Sequence, residues 1–445
     1  MPTLSSAELD HQLGLKFYIT STRPIGGRIR VRLEDFIVEE ISVDGLRANF
    51  SINTSSDIKG EYLWFILEKR GIDMISAIME LSKALRIPFN HFYFAGIKDA
   101  KAITRQFVST YPSYETLLKE FKHNQIKLYG FFRRPFKLSP GMLYGNWFQI
   151  KISDIEVKNE KEAKRIVEKA LHEIRTQGGV PAYYGYQRFG TIRPVTHIVG
   201  KYIIRGDFEA AVWEYVARPF PLEKNYEARR EAWNSRDPKV ILKIYPSKLR
   251  HERAIASYLV KHPNDYVGAL RRLPLTLRRM FVQAYQSYLF NLLLSKRIER
   301  GLSLKFPEIG DYVALLTPIG SFSSIIKVSQ TNFKDLLQLI KNNKAILVGN
   351  LFGFNTRLCD GIPGEIEREV LEEEGIKLEN FRVESLPEVS NKGGYRHLSF
   401  TVENFKLSNI SSKSITVQFI LRKGNYATVF LRELMKPRDI VRAGF

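Results

Sequence analysis

Gly96-Ile-Lys-Asp-Ala-Lys-Ala-Ile-Thr-Arg-Gln106 places one carboxylate, Asp99, among three cations, Lys98, Lys101 and Arg105. The stretch follows an aromatic run, His91-Phe-Tyr-Phe94, and Gly96 supplies a turn that a residue with a Cβ resists. Opposite charges nearby favour the ionised form of an acid. An ionised, positioned Asp acts as nucleophile or base, while the cations around it suit a phosphate backbone. Taken alone, such a stretch more commonly means a surface turn of solvated charges.

Working outward, 445 residues exceed what one ordinary core holds, so two domains, interleaved or consecutive, are expected. Apolar residues make up 44%, enough to fold, and 68 basic against 47 acidic residues leave a net charge of +21. That balance favours a polyanionic partner, nucleic acid first. A membrane surface is the rival reading, but the cations are spread among apolar and aromatic positions instead of gathering in a polybasic tail. No run approaches the roughly 18 apolar residues of a spanning helix. Met1 to Leu15 carries acids and lacks the apolar core of a signal peptide. Cys359 is the single cysteine and the eight histidines are scattered without metal-ligand spacing. A cytoplasmic protein with no metal and no redox role is expected. With neither a Walker A loop nor a strand-linked G-x-G-x-x-G, no cofactor is expected either.

Ile29-Arg-Val-Arg-Leu33 alternates as a half-buried strand with a cationic face, and Tyr62 to Leu67 reads as a buried strand. Met74 to Leu85 has helical spacing, with Ile75, Ile78, Met79 and Leu85 on the face taken as apolar and Ser82 interrupting it. Residues 159–177 predict a surface helix capped by Asn159, buried through Ile166, Val167, Ala170, Leu171 and Ile174, and ended by Gly178 and Gly179. Helices are also expected over Thr276 to Arg300, Phe333 to Lys341 and Ile366 to Glu374. Ile415 to Leu421 reads as a strand, and Lys423-Gly-Asn425 as a turn. Strands and helices mix without a βαβ rhythm, which indicates an α+β fold.

The Gly96–Gln106 stretch resembles the signature of the TruD family of pseudouridine synthases, G-x-K-D-x-x-A-x-T-x-Q. Gly96, Lys98, Asp99, Ala102, Thr104 and Gln106 fill its fixed positions. The resemblance implies a core with a central, mainly antiparallel sheet flanked by helices, plus an inserted TruD-specific α+β domain. Here the core would comprise residues 1–178 and 401–445 and the insertion residues 179–400. It also implies that Asp99 is the catalytic residue.

Four further segments match. In Gly27 to Glu39, Glu34-Asp-Phe-Ile-Val-Glu39 resembles E-D-F-x-V-x-E. Arg30 falls where the family carries a basic residue, commonly Lys, which implies a pairing with the catalytic carboxylate; Arg can make it with two parallel hydrogen bonds. Phe36 matches an aromatic near the substrate, although a core role suits it as well. Gly145-Asn-Trp-Phe148 resembles G-N-x-F, so that Asn146 could read a uracil edge and Phe148 could stack a displaced base. Without the resemblance Asn146 is a turn residue and Phe148 a buried one. Val180-Pro-Ala-Tyr-Tyr-Gly-Tyr-Gln-Arg-Phe-Gly190 resembles P-N-Y-F-G-x-Q-R-F-G, with Ala182 in place of Asn and Tyr184 in place of Phe. Its four aromatics beside Arg188 suit RNA stacking, and a structural hinge suits them nearly as well. Gly424-Asn-Tyr-Ala-Thr-Val-Phe-Leu-Arg-Glu433 resembles G-S-[YF]-A-T-x-x-x-R-E. It aligns Tyr426 with a substrate-contacting aromatic, while Arg432 and Glu433 read as a structural pair. Gln283 to Asn291 is a weaker match whose aromatics are expected to pack.

The reaction so implied is cofactor-free conversion of uridine to pseudouridine in tRNA, usually at position 13, by a monomer. Arg30, Phe36, Asn146, Phe148 and Tyr426 would serve Asp99. A non-catalytic RNA-binding or RNA-chaperone protein on the same fold is the alternative. A basic nuclease or ligase would need paired metal-binding carboxylates or a nucleophilic Lys or His, and neither is recognisable.

Overall fold

The computed structural model describes residues 2–50, 60–96, 98 and 100–445. Its centre is a mixed sheet of nine strands among the described residues. They are β1 (Gly26–Arg28), β2 (Phe36–Ser42), β3 (Tyr62–Arg70), β4 (Tyr93–Phe94), β5 (Ile103–Thr110), β6 (Ile126–Arg134), β7 (Leu143–Ile155), β8 (Glu403–Ser408) and β9 (Ser414–Arg422). The order is β8-β9-β7-β2-β5-β3-β6, with β1 added to β7 and β4 to β5. β2 and β5 run parallel and every other pair in the sheet is antiparallel.

Strand alternation decides what this sheet presents. Val38 pairs with Phe148, Phe148 with Phe419, Val38 with Thr104 and Gln106 with Leu67, so all of these lie on one face. Helix α1 (Met74–Leu85) covers the β3 end of that face, packing Met74, Ala77, Ile78 and Leu81 against Leu63, Phe65 and Leu67. Helices α2 (Glu160–Thr176), α3 (Leu275–Glu299) and α4 (Ala427–Met435) share a core with β7 and β9, and Phe430 of α4 meets Phe419 edge-on at 4.8 Å.

Residues 180–400 contain a mainly helical array and a four-stranded sheet, Phe322–Lys327, Tyr312–Leu316, Ala345–Leu351 and Gly394–His397 in that order. The chain leaves and re-enters side by side, with Val180 paired to Phe400 and Pro181 to Ser399. α3 ties this part to the rest. Its buried Asn291 accepts from Tyr184 N–H and donates to the carbonyls of Tyr184 and Leu13. No helix among the described residues is long and apolar enough to cross a membrane.

Two local expectations fail. Ile29 to Leu33 is not a strand: β1 stops at Arg28, Arg30 adopts a left-handed φ of 58°, and a short 3₁₀ turn occupies Leu33–Asp35. Tertiary pairing overrides the alternation, because Ile29 N–H donates to Ala443 O and the Arg30 guanidinium turns over the Phe36 ring at 4.0 Å. In α1 the buried face is also rotated. Ile75 and Met79 are 38% and 58% exposed while Met74, Ala77 and Leu81 are buried. The Asp73 cap, which accepts from Ser76 N–H, and the position of β3 decide which apolar stripe faces inward.

Candidate active site

The antiparallel pairing of β2 with β7 brings their residues into one row. Phe36 opposes Ile150, Val38 opposes Phe148 and Glu40 opposes Asn146. On the other side of β7, Asn146 opposes Leu421 at the end of β9, so the turn Lys423–Asn425 and the start of α4 lie beside it. These elements wall a cavity of about 230 Å³ lined by Arg30, Phe36, Asn146, Phe148 and Tyr426 together with Gly96 and Lys98. Five of the six residues named from sequence therefore share one cavity. The sixth, Asp99, lies outside the described residues, but its sequence neighbours Gly96 and Lys98 are in the wall.

Each side chain has a definable part. Arg30 donates to Gly444 O at 2.9 Å and covers the Phe36 ring. Phe36, 1% exposed, packs edge-on against Phe148 at 6.3 Å, and Phe148 stacks on Phe419 at 5.3 Å. Both rings are thus core residues that also line the cavity, as the core reading of Phe36 expected. Asn146 Oδ1 is shielded from solvent and has no hydrogen-bond partner among the described residues. An amide oxygen so placed in a cavity wall is suited to a polar ligand edge, since a buried acceptor left unpaired carries a desolvation cost. Tyr426 is half-buried in the cavity wall, its phenol pKa pushed up by burial. Gly185 lets it sit there: a Cβ at 185 would lie 3.1 Å from the Tyr426 ring.

The charge environment differs from the sequence reading. Lys98 Nζ is 3.0 Å from Glu40 Oε1. Arg105 projects from the opposite face of the sheet, bound to Glu39 and Glu68. Of the three cations clustered in sequence, one is neutralised by Glu40, one is behind the sheet, and Lys101 is exposed. The 180–190 segment also departs from expectation. Tyr183, Tyr186 and Phe189 are fully buried, with Tyr183 bonded to Ser295 and Tyr186 to Asp10, so they cannot stack on RNA. Arg432 and Glu433 are likewise buried away from the cavity. Arg432 pairs with Asp10, and Glu433 accepts from Ile19 and Thr20.

Sequence reasoning missed Lys423, Thr428 and Gln187 as wall residues, although Gln187 stands in a motif that was recognised. It also missed Arg396, which donates to Ala182 O and Gly424 O and lies 4.2 Å above the Tyr184 ring. Arg396 braces the turn that carries Tyr426, and no motif marked it.

A family model described as tRNA pseudouridine synthase D (TruD) matches residues 12–434. The chain belongs to the TruD family. The probable tRNA pseudouridine synthase D of Methanosarcina acetivorans is 40% identical over 447 residues, 98% of either chain. Its counterpart from Methanopyrus kandleri is 40% identical over 387 residues, 86% of this chain and 87% of that one. The crystal structure of the putative TruD of Methanosarcina mazei superposes with a TM-score of 0.82 at 38% identity, over 96% of this chain and 97% of that one. TruD enzymes are isomerases of uridine in tRNA, and the α+β architecture here is theirs. Neither departure from the TruD pattern lines the cavity, although the Tyr184 ring packs edge-on against Tyr426 at 6.3 Å. Ala182 is buried in the core with its N–H donating to Leu398 O, and the ring of Tyr184 lies under Arg396.

Proposed function

We propose that the chain isomerises uridine 13 of tRNA, with Asp99 as the catalytic carboxylate and no cofactor. The supporting observation is the cavity that gathers Arg30, Phe36, Asn146, Phe148 and Tyr426 beside Gly96 and Lys98, the latter preceding Asp99 in the chain. The reaction breaks N1–C1′, turns the ring and forms C5–C1′. N1 gains a proton and C5 loses one, so no electron donor is needed. The target base first leaves its stack and enters a pocket. Tyr426 in the cavity wall supplies a face for it, and the Asn146 amide reads the uracil edge. Arg30, held over Phe36 and by Gly444 O, is the group we assign to the charge of Asp99.

The phosphate grip falls to cations away from the cavity. Residues 218–279 carry fifteen Lys and Arg against six Asp and Glu, and Lys243, Lys248, Arg250, Arg271 and Arg272 among them are exposed. We further read 1–178 with 401–445 as the catalytic unit and 179–400 as an insertion whose ends meet in the Val180–Phe400 pairing, in a cytoplasmic monomer. The test is pseudouridine mapping on unmodified tRNA. Asp99→Asn should abolish product while tRNA still binds; turnover retained by that variant would remove Asp99 from the mechanism.

A further inference from the structure

Three neighbouring strands each send a buried polar side chain to the loop that begins at Gly96. From β2, Glu40 places Oε1 3.0 Å from Lys98 Nζ, while its Oε2 accepts the N–H of Phe107 at 2.9 Å. From β3, the fully buried Lys69 donates to Ile72 O at 2.9 Å and reaches Lys98 O at 3.5 Å. From β5, the fully buried Gln106 donates to Gly96 O at 3.2 Å. Register puts all three on one face: Lys69 pairs with Thr104 and Leu67 with Gln106, and Val38, two residues before Glu40, pairs with Thr104. This is also the face that carries Phe36, Asn146 and Phe148.

Such a cluster is a poor way to stabilise a sheet. Withdrawing an ammonium and a carboxylate from water offsets most of their attraction, and apolar side chains of similar size usually do as well or better. A polar cluster does something apolar packing cannot: it fixes one particular geometry in the chain segment it grips. Here the segment is the pair of residues on either side of Ile97, and the residue after Lys98 is Asp99. Catalytic groups misplaced by about 1 Å can lose on the order of 100-fold in rate, so rigid support at this point is where polar burial is useful.

We propose that Glu40 is a positioning residue: with Lys69 and Gln106 beneath the same loop, it holds Lys98 and thereby sets the attitude of the residue that follows. Glu40 has a second effect. It cancels the Lys98 charge, so that Arg30 and the buried Lys69 are the cations left to act on position 99. This inference rests on Asp99 being the catalytic carboxylate.

The test uses full-length protein and unmodified tRNA transcript, with Glu40→Gln, Lys98→Gln, the double variant and Asp99→Asn. Glu40→Gln keeps an acceptor for Phe107 N–H, so the sheet should form. The expected result is that kcat falls about 10- to 100-fold in each of the Glu40 and Lys98 variants, with KM for tRNA changed by less than about twofold. The double variant should fall no further than the worse single one, because both remove the same ion pair. In Glu40→Gln the acid limb of the kcat profile should also move to lower pH, since an uncancelled Lys98 ammonium favours ionised carboxylate nearby. Undiminished kcat in Glu40→Gln, losses that multiply in the double variant, or losses that track melting temperature with no change in the pH profile would each overturn the proposal. An active Asp99→Asn would instead refute the assignment on which it is built, so the two failures are distinguishable.

Discussion

Asp10→Ala should be among the most damaging substitutions in the chain, although it lies outside the cavity. Asp10 is fully buried and accepts from Ser5 Oγ at 2.6 Å, Tyr186 Oη at 2.6 Å and Arg432 Nε at 2.7 Å. Among the described residues Arg432, also fully buried, otherwise donates to the carbonyls of Leu15 and Phe17 and lies 4.1 Å from the centre of the Tyr18 ring, with Glu433 3.8 Å away. Truncation leaves a guanidinium without its close counterion in the core. Removing one partner of such a pair costs about 3–5 kcal/mol, a large share of the roughly 5–15 kcal/mol that keeps a typical protein folded. Urea unfolding followed by circular dichroism measures it, with the midpoint read at unchanged m-value. Replacing both partners, Asp10→Leu with Arg432→Met, should be milder than either single change because no orphaned charge remains. A loss under about 1 kcal/mol in Asp10→Ala, or a double variant worse than both singles, would refute the reasoning.

Other outcomes follow from the site and its surroundings. Asn146→Ala should lower kcat/KM for uridine by about 10- to 100-fold, the size expected when one buried hydrogen-bonding group is removed; unchanged kcat/KM would exclude Asn146 from base reading. Burial holds His197 down to about 3, and burial with the neighbouring Arg396 charge holds His397 down to about 4. Unfolded histidine binds protons at pH where these do not, so their contribution to stability is present above the usual imidazole range and is lost as pH falls toward those values. His397→Gln should flatten stability against pH between about 6.5 and 4 relative to the parent, read by chemical denaturation. Glu367, pushed up to about 7 by burial, acts in the opposite sense, which is why the comparison is between variants. Charge neutralisation at Lys248, Arg271 and Arg272 should weaken tRNA binding and reduce the slope of log affinity against log salt, by about 0.7–0.9 for each phosphate the protein no longer neutralises; an unchanged slope would place the RNA elsewhere.

Most elements were readable from the chain because their local signals agreed with their surroundings. α2 has its Asn159 cap, its apolar stripe and its terminal glycines where expected, and Asn159 does accept from Glu162 N–H. The failures share one cause, namely that a distant segment decides. Ile29 and Arg30 alternate like a strand but are claimed by Ala443 and Gly444. Arg105 stands close to Asp99 in sequence, yet strand alternation sends it through the sheet to Glu39 and Glu68. Five residues of the cavity wall were legible through motif resemblance, whereas Arg396 and Glu40 were not. Their roles rest on bonds to Gly424 and Lys98, and no spacing in a linear sequence encodes those.

The pairing of β7 with β9 joins residues 145–153 to residues 414–422. During synthesis the ribosome therefore releases Arg30, Phe36, Asn146 and Phe148 long before the strand and turn that bring Tyr426. Until then one edge of the sheet is open and the cavity lacks a wall, so a nascent chain stalled within the intervening stretch would hold most of the proposed site residues without the cavity that gathers them.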